Sequence, residues 1–78
     1  MRNTALEIFE NRMDILVFAA YATKPFSVTD VFERVIEARR STIRNCLNDL
    51  VSGGYLNKQS IYLFEATDKT KQLFRRAA

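Results

Sequence analysis

The stretch "ARRSTIRNCLNDLVSGGYL", Ala38 to Leu56, constrains the fold more than any other part of the chain. Ile43, Cys46, Leu47 and Leu50 recur at i, i+3, i+4 and i+7, which is one stripe of an α-helix, and Gly53-Gly54 supplies residues that can end it. The spacing predicts a helix over approximately Arg40 to Ser52 with that stripe buried. At about 100° per residue, Ser41, Asn45, Asn48 and Ser52 fall opposite the stripe, with Arg44 on one flank and Thr42 and Asp49 on the other. Arg39 and Arg40 stand at the helix entrance. Burial accounts for the apolar side, whereas arginines, hydroxyls and amides on the other side call for a partner.

Two further helices precede this one. From about Asn3 to Thr23 no Gly or Pro interrupts the chain, and Leu6, Phe9, Met13, Leu16, Val17 and Ala20 form an apolar line expected to face the core. Ile8, Ile15, Phe18, Ala19 and Ala22 form a second line, so the apolar surface is wider than one contact requires. Its partner is either the C-terminal helix of the same chain or a second copy, two-fold dimers being the commonest oligomers. Lys24-Pro25 ends this helix. "FSVTDVFERV" then opens the next: Ser27 is a good N-cap, Asp30 three residues on completes a capping box, and Phe26 can staple onto Val31. Its expected buried face is Val28, Val31, Phe32 and Val35.

After Gly53-Gly54, Tyr55-Leu56 reads as the start of a strand, Asn57 to Ser60 as a polar turn and "IYLF", residues 61 to 64, as the returning strand. Thr67 or Asp68 can cap a brief last helix anchored by Leu73 and Phe74, with a tail that frays. The expected order is helix, helix, helix, hairpin, helix, in one domain spanning residues 1–78, since a chain of this length holds a single core.

Composition narrows the function classes. The lone Cys46 cannot form an internal disulfide, so a reducing cytoplasm is the expected compartment. The longest apolar run, "ILVFAAYA", is far short of the roughly 20 residues a spanning helix needs, so no membrane association is expected. Without histidine, a glycine-rich phosphate loop or a cysteine pair, the chain is not expected to be an enzyme or to need a metal or cofactor. Net charge is only +3, but acidic Glu7, Glu10 and Asp14 weight the front while Arg39, Arg40, Arg44, Lys58, Lys69, Lys71, Arg75 and Arg76 weight the second half. That asymmetry suits an anionic partner on one face. Arginine can donate two bonds to guanine and asparagine can pair with adenine in a major groove.

Residues 26 to 70 resemble a winged helix-turn-helix domain of the kind found in MarR-like transcription regulators. "SVTDVFERV" resembles the first helix of the motif, "RRSTIRNCLNDLVSGGYL" the recognition helix leading into the wing, and "YLFEATDKTKQLF" the returning strand and following helix. The resemblance implies an α+β, mainly α fold whose third helix enters the major groove of double-stranded DNA while the wing touches the backbone. By position, it assigns Ser41, Thr42, Arg44, Asn45 and Asn48 to base or phosphate contact, and Lys58 and Gln59 at the wing tip to the backbone; Arg39 and Arg40 join this DNA-binding set from their own place at the helix entrance. It implies a small transcriptional regulator. The expected homodimer is placed instead by the wide apolar surface of the first helix, with Ile8, Ile15, Phe18, Ala19 and Ala22 as the dimer interface. The turn "IEA" lacks the usual glycine, and Thr70 stands where many relatives place glycine. The chain given carries none of the additional helices with which many relatives bind effectors, so no small-molecule effector is expected. The alternative is a winged-helix protein-interaction module, in which the apolar first helix is the contact and the arginines are solvated surface. Tyr21, Tyr55 and Tyr62 read as rims of the core, and Cys46 as a small buried hydrophobe.

Overall fold

The computed structural model describes residues 4–74. Its elements run α1 (Thr4–Tyr21), α2 (Val28–Arg34), α3 (Arg40–Ser52), β1 (Leu56–Lys58), β2 (Phe64–Ala66) and α4 (Asp68–Phe74). The architecture is α+β and mainly helical, with four helices and one two-stranded antiparallel hairpin among the described residues, in the expected order. Asn3, expected to begin the first helix, lies outside the described residues, as do Arg75, Arg76 and the tail.

One core joins the elements. Ile43, Cys46, Leu47 and Leu50 of α3 are buried as their spacing requires, and they meet Ile15, Leu16 and Ala19 of α1 and Val31 of α2. Burying a side chain such as Ile43 or Leu47 contributes about 1.5–3 kcal/mol relative to leaving it in water. The capping box of α2 is present in full: Asp30 N–H donates to Ser27 Oγ at 3.2 Å and Ser27 N–H donates to Asp30 Oδ2 at 2.9 Å. Phe26 and Val31, on either side of that cap, both lie in the core. Phe32 does not. It is exposed on the outer side of α2, where the Arg40 guanidinium lies 4.8 Å above its ring.

The end of α3 follows from Gly53-Gly54. Gly54 adopts φ +84°, a left-handed conformation that a side chain disfavours. Tyr55 N–H then donates to Leu50 C=O at 2.9 Å and Gly54 N–H to Val51 C=O at 3.1 Å, a Schellman ending that turns the chain straight into β1.

The long first helix departs from expectation. Ile15 and Ala19, expected at an interface between copies, are 0% and 2% exposed and belong to the core of one chain. Phe18 and Ala22 are half-buried against that core. Conversely Leu6, Phe9 and Val17 of the expected core line are exposed, and only Leu16 and Ala20 of it are buried. The reason is tertiary: α1 packs against α3, β2 and α4 at once, so its buried seam runs between the two apolar lines. That seam begins near Arg12, and the two turns from Ala5 to Glu10 are exposed throughout. α4, one of the two partners expected for the second line, packs against α1. The Tyr21 hydroxyl donates to the Phe74 carbonyl there, from a ring that is otherwise exposed.

The hairpin is also shorter than expected. Its register pairs Leu56 with Ala66, Asn57 with Glu65 and Lys58 with Phe64. "IYL", residues 61 to 63, is the loop and not a strand. Leu56, Phe64 and Ala66 point into the core, and the turn begins before the residues ahead of Phe64 can pair. On its other edge Phe64 exchanges two 2.8 Å backbone bonds with Phe26, a single-residue bridge that gives β2 a neighbour on both sides. The Phe26 ring packs edge-on to Phe18 at 5.2 Å and stacks on Phe64 at 6.4 Å. Thr67 caps α4, its Oγ1 accepting from Thr70 N–H at 3.4 Å. Thr70 is fully buried and donates its hydroxyl to the Tyr55 carbonyl at 2.6 Å, so this buried polar group is satisfied.

Candidate nucleic-acid interface

The exposed side of α3 carries three groups of side chains. Ser41, Asn45 and Asn48 project from its outer face, all exposed. Thr42, half-buried, and Asp49 lie on the flank toward α1. On the opposite flank Arg40, Arg44 and Asn48, spaced four residues apart, form a ridge facing the hairpin.

That ridge is one wall of an open cleft of about 390 Å³. Ser27, Val28 and Thr29, at the start of α2, form a second wall, and Lys58, Ile61, Tyr62 and Phe64 of the hairpin form the third. Three cationic side chains, Arg40, Arg44 and Lys58, therefore border one concavity, and among the described residues no carboxylate lines it. Arg40 is held in place: it donates to Thr29 Oγ1 at 2.7 Å while covering Phe32. Lys58 Nζ sits 5.8 Å from the centre of the Phe64 ring. Both cations thus lie over aromatic faces, to which the ring quadrupole attracts them.

The remaining candidates are placed differently. Arg39 is the N-cap residue of α3, and its exposed side chain forms no capping bond. Gln59 is turned away from the cleft, its amide donating to Glu65 Oε1 at 2.7 Å. Lys69 lies 4.2 Å over the Tyr55 ring, on the side of β1 toward α4.

Asp49, a carboxylate on a helix otherwise free of acidic residues, is answered from far along the chain. The Arg12 guanidinium of α1 pairs with its Oδ2 at 2.5 Å. Both side chains are roughly half exposed, so the pair contributes at most about 1 kcal/mol to stability, but it neutralises Asp49. Cys46 lies beneath. Burial pushes its thiol above the ordinary cysteine value, the Arg12 guanidinium opposes that rise and the Asp49 carboxylate adds to it. A buried thiol so shifted is a poor nucleophile.

Two side chains of the cleft are not where the sequence pattern puts them. Strand propensity sets Ile61 and Tyr62 in a strand and at a core rim, yet each is 76% exposed at the hairpin tip. Alternation is the signal that flags them, because four apolar residues in a row cannot all face one side of a strand. Among the described residues no group of three or more His, Cys, Asp or Glu side chains gathers as a metal site, and no helix is long and apolar enough to cross a membrane. Comparison of the chain with family models, with curated proteins and with solved structures returns no match.

Proposed function

We propose that this protein is a winged helix-turn-helix domain, similar to the MarR-like regulators, that binds double-stranded DNA as a small transcriptional regulator. One observation carries the reading: Arg40, Arg44 and Asn48 of α3 converge with Lys58 of the hairpin on a single cleft that no described carboxylate lines. In this reading α3 lies in the major groove. Asn45, Asn48 and Arg44 face base edges, and Ser41 and Thr42 reach phosphates or bases. Arg39 and the uncapped first turn of α3 meet a phosphate, which an open helix N-terminus attracts through its free amides and dipole. Lys58 and the hairpin follow the backbone. The Arg12–Asp49 pair supports the same reading, since it removes the one charge on α3 that phosphates would repel.

A second copy, in this proposal, joins through the first two turns of α1, where Ile8 and Phe9 are exposed. The same apolar surface is what favours the rival reading, a protein-interaction module in which α1 is the contact and the cleft is solvated.

Salt dependence separates the two. Selection from a pool of random duplexes, followed by affinity across a salt series, is expected to enrich a motif with mirrored halves and to show binding that weakens steeply with salt. Arg44→Ala is expected to lower duplex affinity about ten-fold or more with the fold intact, and Lys58→Ala to reduce the salt slope by about one. No binding at low salt would transfer the function to α1 and a protein partner.

A further inference from the structure

The hairpin tip holds two large apolar side chains in water, and its backbone keeps them there. Gln59 N–H donates to the Leu63 carbonyl at 2.8 Å, Ser60 N–H shares that carbonyl at 3.4 Å, and Ser60 Oγ accepts from Tyr62 N–H at 3.3 Å. This closes a tight turn around Ser60, Ile61 and Tyr62 that carries both apolar side chains past Phe64, where the core of the hairpin ends, and leaves them exposed. Solvation explains an isolated exposed apolar residue. It does not explain Ile61 and Tyr62 side by side, 76% exposed, in a turn with no glycine, proline or charge to make it soluble. The same two side chains border the cleft whose other walls carry Arg40, Arg44 and Lys58.

We propose that Ile61 and Tyr62 form an apolar wedge that enters the minor groove of duplex DNA and opens a base step, bending the duplex around the cleft. The proposal rests on the DNA-binding reading and adds to it a mode of contact and a shape for the ligand. Charge selects the partner, because a tip flanked by Lys58 and facing two arginines is drawn to phosphate before its apolar end makes contact. Chemistry then selects the seat. Apolar side chains inserted at a minor-groove step unstack it and kink the helix by about 20–90°, and an aromatic ring can stack on the base so exposed. A preformed turn suits that task, since little order has to be gained on insertion. Ile61 is β-branched and stiff, fit to pry, and Tyr62 is flat, fit to stack.

The test uses a 30-base-pair duplex of mixed sequence, labelled at its two ends for energy transfer, at low salt. The chain contains no tryptophan, so Tyr62→Trp adds a single reporter at the tip. The wild type is expected to bring the duplex ends closer, and the indole emission of the reporter variant to be quenched on binding. The double variant Ile61→Ser/Tyr62→Ser, whose helical circular dichroism should match wild type, is expected to leave the duplex straight. It should bind about ten-fold more weakly with an unchanged salt slope, because no cation has been removed. A double variant that binds and bends the duplex like wild type would overturn the wedge while leaving the DNA reading standing. So would an unquenched reporter in a salt-sensitive complex. Absence of any wild-type binding at low salt would overturn both.

Discussion

The base and the tip of the hairpin are built from the same kinds of residue and live in opposite surroundings. At the base Leu56, Phe64 and Ala66 are 1%, 3% and 6% exposed, with Phe64 paired to Lys58 on one edge and bridged to Phe26 on the other. At the tip, two residues before Phe64, Tyr62 is 76% exposed and Ile61 beside it equally so. An apolar side chain is buried where neighbouring elements close over it, and none of the described elements closes over the tip, which only borders the open cleft. The base therefore holds the fold, while the tip is available to something outside it.

The largest test of this contrast is Phe64→Ala. Removing a ring that stacks on Phe26 and closes the core is expected to cost about 3–5 kcal/mol, read as a lower midpoint in urea unfolding. A cost below about 1 kcal/mol would show that the base is not where stability resides. Ser27→Ala probes the same region from the far edge, since Ser27 follows Phe26 and caps α2. It should cost about 1 kcal/mol, and an unchanged melting temperature would mean the capping box contributes nothing to holding Phe26 against β2. The tip double variant Ile61→Ser/Tyr62→Ser is expected to shift stability by no more than about 0.5 kcal/mol. A loss comparable to that of Phe64→Ala would erase the distinction between base and tip.

The smallest effect concerns Cys46, buried under α1 at the heart of the same core. Its thiol titrates above its unfolded value because burial disfavours the thiolate. The unfolded chain therefore loses this proton first, and the contribution to stability, complete below about pH 8.5, declines as pH rises from there through the folded value. Cys46→Ala should show a shallower alkaline decline than wild type in urea unfolding as pH rises above about 8.5. Identical slopes would mean that the thiol is not shielded.

What could be read from the sequence follows the range of the interaction. The buried stripe of α3, the capping box at Ser27 and Asp30, and the glycine ending were all legible, because each depends on residues within one or two turns. The two apolar lines of α1 were legible as apolar but not as inside or outside. Ile15 and Ala19 are core because α3, α4 and β2 close around that seam, and Phe9 is exposed because it borders an open groove beside Leu50 and Tyr55 that nothing described covers. The extent of β2 failed for a related reason. The β-rich Ile61, Tyr62 and Leu63 satisfy strand propensity, but a strand also needs a partner, and the turn at Gln59 ends β1 too early to provide one. At the candidate site, helical periodicity was enough to put Asn48 opposite the buried stripe with Arg44 on its flank and Arg40 at the helix entrance, but not to join them in one ridge. Bringing Lys58 opposite them required the hairpin to fold back across the start of α2. The neutralisation of Asp49 by Arg12, 37 residues away, lay beyond any local pattern.

The most direct test of the central claim is a titration of the isotopically labelled chain with duplex DNA, followed by backbone amide chemical shifts. DNA seated on the α3 and hairpin cleft should move amides of Arg39 to Asn48 and of Lys58 to Leu63, together with Thr29 at the start of α2, and leave the outer side of α1 from Glu7 to Asp14 unchanged. Shifts confined to α1, or none at all at low salt, would contradict it.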